Sequence, residues 1–126
     1  MQNFIDINFI DYFKFSSRYI GKYIVYENKG KGKEYDSFND KLIFEGEYLN
    51  GKRKGKGKEF YGNGNLLFEG EYLNGKKWNG TIYCEKENSQ FPLINGNGKY
   101  KEYDYHGNLK FDGEYLNGEK KGIERI

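Results

Sequence analysis

The stretch Phe44-Glu45-Gly46-Glu47-Tyr48-Leu49-Asn50-Gly51 returns almost letter for letter as Phe68 to Gly75 and again as Phe111 to Gly118. On an extended strand side chains alternate with a period of two, so Phe44, Gly46 and Tyr48 share one face while Glu45, Glu47 and Leu49 share the other. Asn50-Gly51, Asn74-Gly75 and Asn117-Gly118 close the three copies. Both residues of an Asn-Gly pair tolerate the positive φ that a two-residue hairpin turn demands, so the chain is expected to reverse at each. The returning strand is the basic, glycine-containing run that follows, clearest in Lys52 to Phe60, and Gly62-Asn63-Gly64-Asn65 turns the chain into the next copy.

Working outward, Tyr19-Ile20-Gly21-Lys22-Tyr23 is a worn copy, with Tyr19 and Gly21 each 25 residues before Phe44 and Gly46. Tyr26 stands where Gly51 stands later, and Gly30 to Tyr35 matches the return Gly55 to Phe60 at the same offset. Atypical terminal units are usual in repeat arrays. The unit after Gly75 is irregular: Gly75 to Gly80 reads as one residue longer than Gly51 to Gly55, placing Trp78 in a turn and the next strand at Thr81 to Glu85. Lys86 to Gln90 then reads as a turn or loop, and Phe91 to Ile94 as a short strand whose Pro92 belongs at an edge or a strand start. Gly98 to Tyr103 resumes the returning pattern, and Gly122 to Ile126 begins one more strand. Residues 1–17 stand outside the repeat; their apolar positions fit neither strand nor helix period, and their place at the end of a sheet suggests a cap or a partner-binding arm. The repeat sheet then runs over 18–126. A fold class follows: all-β, an elongated antiparallel meander of stacked hairpins with about ten strands, since hairpins leave no room for crossover connections.

Composition agrees with a thin sheet. Among 126 residues 36% are hydrophobic, yet Tyr and Phe alone number 23, so aromatic side chains make up more than half of the apolar total. Few aliphatics argue against a thick two-layer core, and so many rings argue against disorder. Lys and Arg total 21 against 19 acids, a net charge of +2 that is too small to imply nucleic-acid binding. Cys84 stands alone, which excludes an intrachain disulfide and favours a reducing, cytoplasmic setting. The N-terminus carries Asp6 and Asp11 and lacks a basic start, so it does not read as a signal peptide.

Written as a pattern, the copy with its return is aromatic-x-Gly-x-aromatic-x-x-Gly-x-x-x-Gly-x-Gly, carried by Phe44, Gly46, Tyr48, Gly51, Gly55 and Gly57. This resembles the MORN (membrane occupation and recognition nexus) repeat over roughly residues 19 to 122. The resemblance implies hairpins stacked into one antiparallel sheet that binds proteins or, in some members, anionic lipids. Tyr48, Tyr72 and Tyr115 stand where that family commonly has Trp. In this the chain looks like the divergent MORN-like repeats of long arrays in protists and giant viruses and of bacterial antitoxin or immunity proteins.

Candidate chemistry is sparse. His106 is the sole histidine and sits in the turn Asp104-Tyr105-His106-Gly107, and nothing near Cys84 in the sequence would orient a Cys84–His106 dyad. One His and one Cys cannot build a zinc cage, the carboxylates are spread along the strands rather than clustered as in a calcium loop, and the Gly-Lys-Gly runs lack the helix and the Ser/Thr of a phosphate loop. They read as strand glycines, Gly96 and Gly98 included, placed where rings from neighbouring hairpins approach the backbone. A non-enzymatic interaction module without cofactor or metal is therefore expected, a scaffold, inhibitor or immunity-type binder. Its partner-binding residues would be the aromatic row Phe44, Tyr48, Phe68, Tyr72, Phe111 and Tyr115, because a lone sheet cannot cover both its faces and part of the row should stay exposed as a groove. The alternative is peripheral binding of anionic phospholipid through the basic hairpin tip Lys52, Arg53, Lys54, Lys56 and Lys58.

Overall fold

The computed structural model describes residues 21–85 and 89–124. The cap or arm expected at 1–17 and the loop residues 86–88 lie outside that range. Among the described residues the chain is nearly all β: ten strands and one short 3-10 turn at Asn28–Gly30, with no α-helix. The strands are β1 (Lys22–Tyr26), β2 (Lys31–Asp36), β3 (Leu42–Leu49), β4 (Lys52–Phe60), β5 (Leu66–Leu73), β6 (Lys76–Tyr83), β7 (Gln90–Leu93), β8 (Gly98–Tyr103), β9 (Leu109–Leu116) and β10 (Glu119–Glu124). Chain neighbours pair antiparallel throughout, as the repeat requires, but in two sheets: β1 to β7 in order, and β8 to β10.

The Asn-Gly pairs turn as expected. Asn50, Asn74, Asn95 and Asn117 have φ of 53°, 52°, 51° and 53°, and the glycines after them 80°, 83°, 82° and 83°. The third of these turns is one more Asn-Gly pair, Asn95-Gly96, so Gly96 is a turn residue rather than a strand glycine. Successive turns are also stitched side by side. The Gly75 N–H donates to the Arg53 carbonyl at 3.0 Å, Gly96 N–H to Trp78 at 2.7 Å and Gly118 N–H to Gly96 at 2.9 Å.

A column of glycines crosses the large sheet at one register position: Gly32, Gly46, Gly57, Gly70 and Gly80 pair in succession from β2 to β6. A Cβ on Gly46 would stand 2.6 Å from the Gly57 Cα, and one on Gly57 would meet the Phe44 ring at 2.6 Å. The ring lies where those side chains would be, and this packing against bare backbone is why the column must be glycine. The column glycine follows the turn glycine by six residues in β4, five in β6 and four in β10, whereas the arriving strands are all alike. Register shifts absorb the difference: Glu47 spans the extra residues of β4, Trp78 is the single extra residue of β6, and the β9–β10 hairpin has none. Two expectations change in consequence. The irregular unit is one residue short of its predecessor rather than long, and Trp78 lies within β6, where its ring packs on the Gly96 backbone.

The meander breaks at β7. Here the column carries Leu93, opposite Gly80, and β8 carries Tyr100, opposite Gly113. β7 also holds Pro92, which has no N–H to donate. Between β7 and β8 only the Ile94–Asn97 bridge at the turn remains. The small sheet then repeats the large one, with Gly113 facing Gly122.

If ring-on-backbone packing holds the sheet, Gly57→Ala should lower the unfolding free energy in urea by about 1–3 kcal/mol, the usual cost of overpacking. Gly62→Ala, whose added Cβ meets nothing within 4 Å, should stay within about 0.5 kcal/mol. Equal urea midpoints for the two variants would refute the packing argument.

Candidate functional site

The two faces of the sheet differ completely. On one, the rings form an edge-to-face row: Tyr26 to Tyr48 at 5.5 Å between centroids, Tyr48 to Phe44 at 5.7 Å, Phe44 to Tyr72 at 5.1 Å and Tyr72 to Phe68 at 5.3 Å. Ile82, Leu93 and Phe91 continue the core to the edge of the large sheet, where Phe91 meets Tyr100, and Tyr100, Phe111 and Tyr115 complete it in the small sheet. Each edge-to-face pair adds about 0.5–1.5 kcal/mol beyond its buried area.

The same face carries charge. Register places Glu34 opposite Phe44, Arg53 opposite Tyr48, Glu59 opposite Phe44 and Phe68, and Lys77 opposite Tyr72, so these side chains lie over the rings. They form a ladder. Glu34, 1% exposed, accepts from Arg53 Nε at 2.8 Å and Nη2 at 2.7 Å, from the Tyr48 hydroxyl at 2.5 Å and from Lys22 Nζ at 2.9 Å. Arg53 continues to Glu59 at 3.2 Å, and Glu59 accepts from the Tyr72 hydroxyl at 2.9 Å and pairs with Lys77 at 3.3 Å. The Arg53 guanidinium also sits 4.1 Å from the centre of the Phe44 ring, a cation–π contact. The small sheet repeats the motif, with Tyr100 donating to Glu102 at 2.8 Å, Lys120 3.5 Å from Glu102, and the Lys120 ammonium 4.7 Å from the Phe111 centroid.

Electrostatics follow from this geometry. Burial alone would raise the Glu34 pKa, but the hydrogen bonds from Arg53, Tyr48 and Lys22 outweigh it and hold the carboxyl at about 2. Glu59 is lowered in the same way, with Lys77 and Arg53 overcoming its burial. The hydroxyls of Tyr48, Tyr72 and Tyr100 are pushed well up by burial and by the carboxylates they donate to.

These facts relocate most of the residues singled out from sequence. Phe44 and Phe68 are fully buried, Tyr72 and Phe111 are 3% exposed and Tyr115 is 9% exposed, while Tyr48 is half-buried with its hydroxyl on Glu34. The exposure expected of the aromatic row is therefore not found at these five rings: long charged side chains from neighbouring strands roof the face that a second layer would otherwise cover. Arg53 leaves the basic tip for the same reason, its guanidinium drawn inward by two carboxylates. Lys52 and Lys54 remain exposed at the tip, and Lys56 and Lys58 belong to the opposite face.

That opposite face is open. Lys31 and Lys33 of β2, Glu45 and Glu47 of β3, Lys56 and Lys58 of β4, and Glu69 and Glu71 of β5 alternate in sign from strand to strand, in register except at Glu47, which the β3–β4 ladder skips. Between their two rows lies a concavity of about 600 Å³ floored by the glycine column. Its charges are paired loosely: Lys58 to Glu69 at 3.9 Å and, at the rim, Lys33 to Glu27 at 3.4 Å, both between half-exposed side chains. Glu47 is committed locally, accepting the Lys56 N–H at 2.8 Å where the β3–β4 register shifts.

Among the described residues no three His, Cys, Asp or Glu side chains could share a metal ion. His106 is exposed in its turn, where Asp104 accepts its N–H, and Cys84 follows the end of β6. No described helix is long and apolar enough to cross a membrane. Compared with models of known families, with curated proteins and with solved structures, the chain matches none.

The ladder makes stability pH-dependent. Because the folded pKa of Glu34 lies below its ordinary value of 4.5, its contribution is present above pH 4.5 and is lost as the pH falls toward about 2. The shift corresponds to about 3 kcal/mol at neutral pH. Glu34→Gln should remove about that much in urea titrations at pH 7 and flatten the acid limb of the stability profile. An unchanged acid limb would assign acid sensitivity to other groups.

Proposed function

We propose that this chain is a MORN-like repeat module that binds proteins and catalyses no reaction. The observation that carries the reading is the open face across β2 to β5, where rows of lysine and glutamate alternate in register over a glycine floor. The buried rings Phe44, Phe68 and Tyr72 lie on the other side of the sheet, so the outward side chains of this face are free to differ without disturbing the core. Four lysines and five glutamates line the concavity. A surface of mixed sign repels an anionic bilayer about as much as it attracts it, and lipid or nucleic-acid binding calls for clustered cations instead. A protein partner can match such a pattern charge by charge, which sets register and rejects mismatched partners more than it adds raw affinity. The basic-tip alternative keeps Lys52 and Lys54 but loses Arg53 to the ladder, and Lys76 of the following tip is paired with Glu119 at 2.9 Å.

The test uses the full chain, immobilised, with partners captured from the source cells and identified by mass spectrometry. Proteins bound through the open face should be lost at least tenfold from the folded variant Lys56→Glu with Lys58→Glu, and more easily in salt. Capture that ignores the charge reversal would remove this face from the interface. Binding to vesicles containing acidic phospholipid, without protein capture, would transfer the reading to the lipid surface.

A further inference from the structure

At the seam between β7 and β8 a lysine-bearing strand lacks a ladder partner on one side among the described residues, unlike β2, whose second flank is filled by β1, and β4, which lies between two acidic strands. The lysine-bearing strand β4 is flanked on both sides by an acid-Gly-acid triplet: Lys58 faces Glu45 and Glu69, Gly57 faces Gly46 and Gly70, and Lys56 faces Glu71. β8 is built like β4 but is flanked on one side only, where Asp112, Gly113 and Glu114 of β9 stand opposite Lys101, Tyr100 and Lys99. On its other side lies β7, which packs Phe91 against the Tyr100 ring at 5.4 Å on the ring face, offers Gln90 and Pro92 in place of acids on the charged face and, past the Ile94–Asn97 bridge, pairs with β6 alone. The seam edge of β8 therefore has backbone groups with no ladder partner among the described residues, and two exposed lysines with carboxylates on one flank. A concavity of about 820 Å³ opens on the charged face at this point, bordered by Gln90, Phe91, Lys99, Lys101, Asp112 and Glu114.

We infer that the β7–β8 seam is a strand-acceptor slot for an extended peptide bearing carboxylates at alternate positions with a small residue between them. The peptide lies antiparallel to β8, mirrors Asp112-Gly113-Glu114 on its free flank, sets one acid beside Lys99 and the other beside Lys101, and keeps its small residue at the level of Tyr100. Backbone hydrogen bonds to an open edge supply affinity, and the alternate side chains supply selection. The turn at Asn95-Gly96 holds β7 and β8 together at one end, so the slot accepts a segment of only a few residues from its open end. The inference rests on the protein-binding reading above and names a partner chemistry for it at a second place on the same face.

The chain's own sequence provides a probe, since residues 68–74 contain Glu69-Gly70-Glu71. A fluorescent synthetic peptide of that sequence should bind the full-length protein, and the peptide with both acids as Gln should bind at least tenfold more weakly. Lys99→Glu with Lys101→Glu should abolish binding of the acidic peptide and gain binding of a peptide with lysines at the two acid positions. Should the reversal lower the melting temperature, Lys99→Gln with Lys101→Gln repeats the measurement without adding acids beside Asp112 and Glu114. Hydrogen exchange should show new protection at residues 90–93 and 98–102 when peptide is added. The proposal is overturned if those amides are already as protected in the free protein as those of β4, if millimolar peptide does not bind, or if binding survives the charge reversal. Cellular partners that still bind the Lys99/Lys101 variant would remove the slot and leave the protein-binding reading standing.

Discussion

A single-layer sheet has to cover its own apolar face, and the structure depends on how this chain does so. The Phe44, Phe68 and Phe111 rings lie on glycine backbone, and Tyr48 and Tyr72 meet Phe44 and Phe68 edge-on with hydroxyls that end on carboxylates. Among the described residues nothing apolar arrives from a second layer. Arg53 and Lys77 do the covering: their hydrocarbon stems pass over the rings and their charged heads reach the glutamates of neighbouring strands. Burying ions is costly, and an ion pair seldom beats a well-packed apolar substitute. Here, however, both Glu34 oxygens are fully supplied with donors, and the Arg53 fork bridges two carboxylates. The arrangement recurs because it is coded locally, by a cation two residues after the turn glycine at 53, 77 and 120 and a glutamate at 34, 59 and 102.

That code was present in the sequence but not readable from alternation alone. The octet, its Asn-Gly turns and the returning strands depend on a few adjacent residues, and they fold as read. Arg53 within Lys52-Arg53-Lys54 looks like one solvated cation among several, and Glu59 looks like any exposed strand acid. Their meaning is set by parity across the turn, where the residue paired with Tyr48 must point to the ring side whatever its charge. The burial of the aromatic row escaped for the same reason, since a groove is expected only while the residues that roof it are assigned to solvent. The fixed spacing of glutamate and cation from unit to unit was the available signal.

The irregular unit shows the opposite limit. Its departures look like extra length, yet counting from turn glycine to column glycine gives six, five and four residues along the chain, the first two accommodated by register shifts on one strand of the hairpin and the last in plain register. Length variation is thus tolerated beside the turn, and side-chain volume in the column is not. Where Leu93 and Tyr100 replace glycine, no ring can lie on the backbone there, and the ladder stops with a proline in the adjoining strand. The division into two sheets follows from those positions rather than from the loop before β7.

Separation of the two faces bears on how such a chain can recognise anything. The ring face couples adjacent hairpins: Arg53 touches Glu34, Glu59, Phe44 and Tyr72, elements of four strands, so a change at one of these positions is felt in several units. On the other face Lys31, Lys33, Glu45, Lys56, Lys58, Glu69 and Glu71 answer mainly to the residue directly across the strand pair. Exposed pairs of that kind contribute only a few tenths of a kcal/mol each. Replacing them alters the pattern shown to a partner at small cost in stability. A sheet that buries Phe44, Phe68 and Tyr72 withholds those rings as interface anchors, and in exchange gains a surface whose charge pattern can vary one strand at a time.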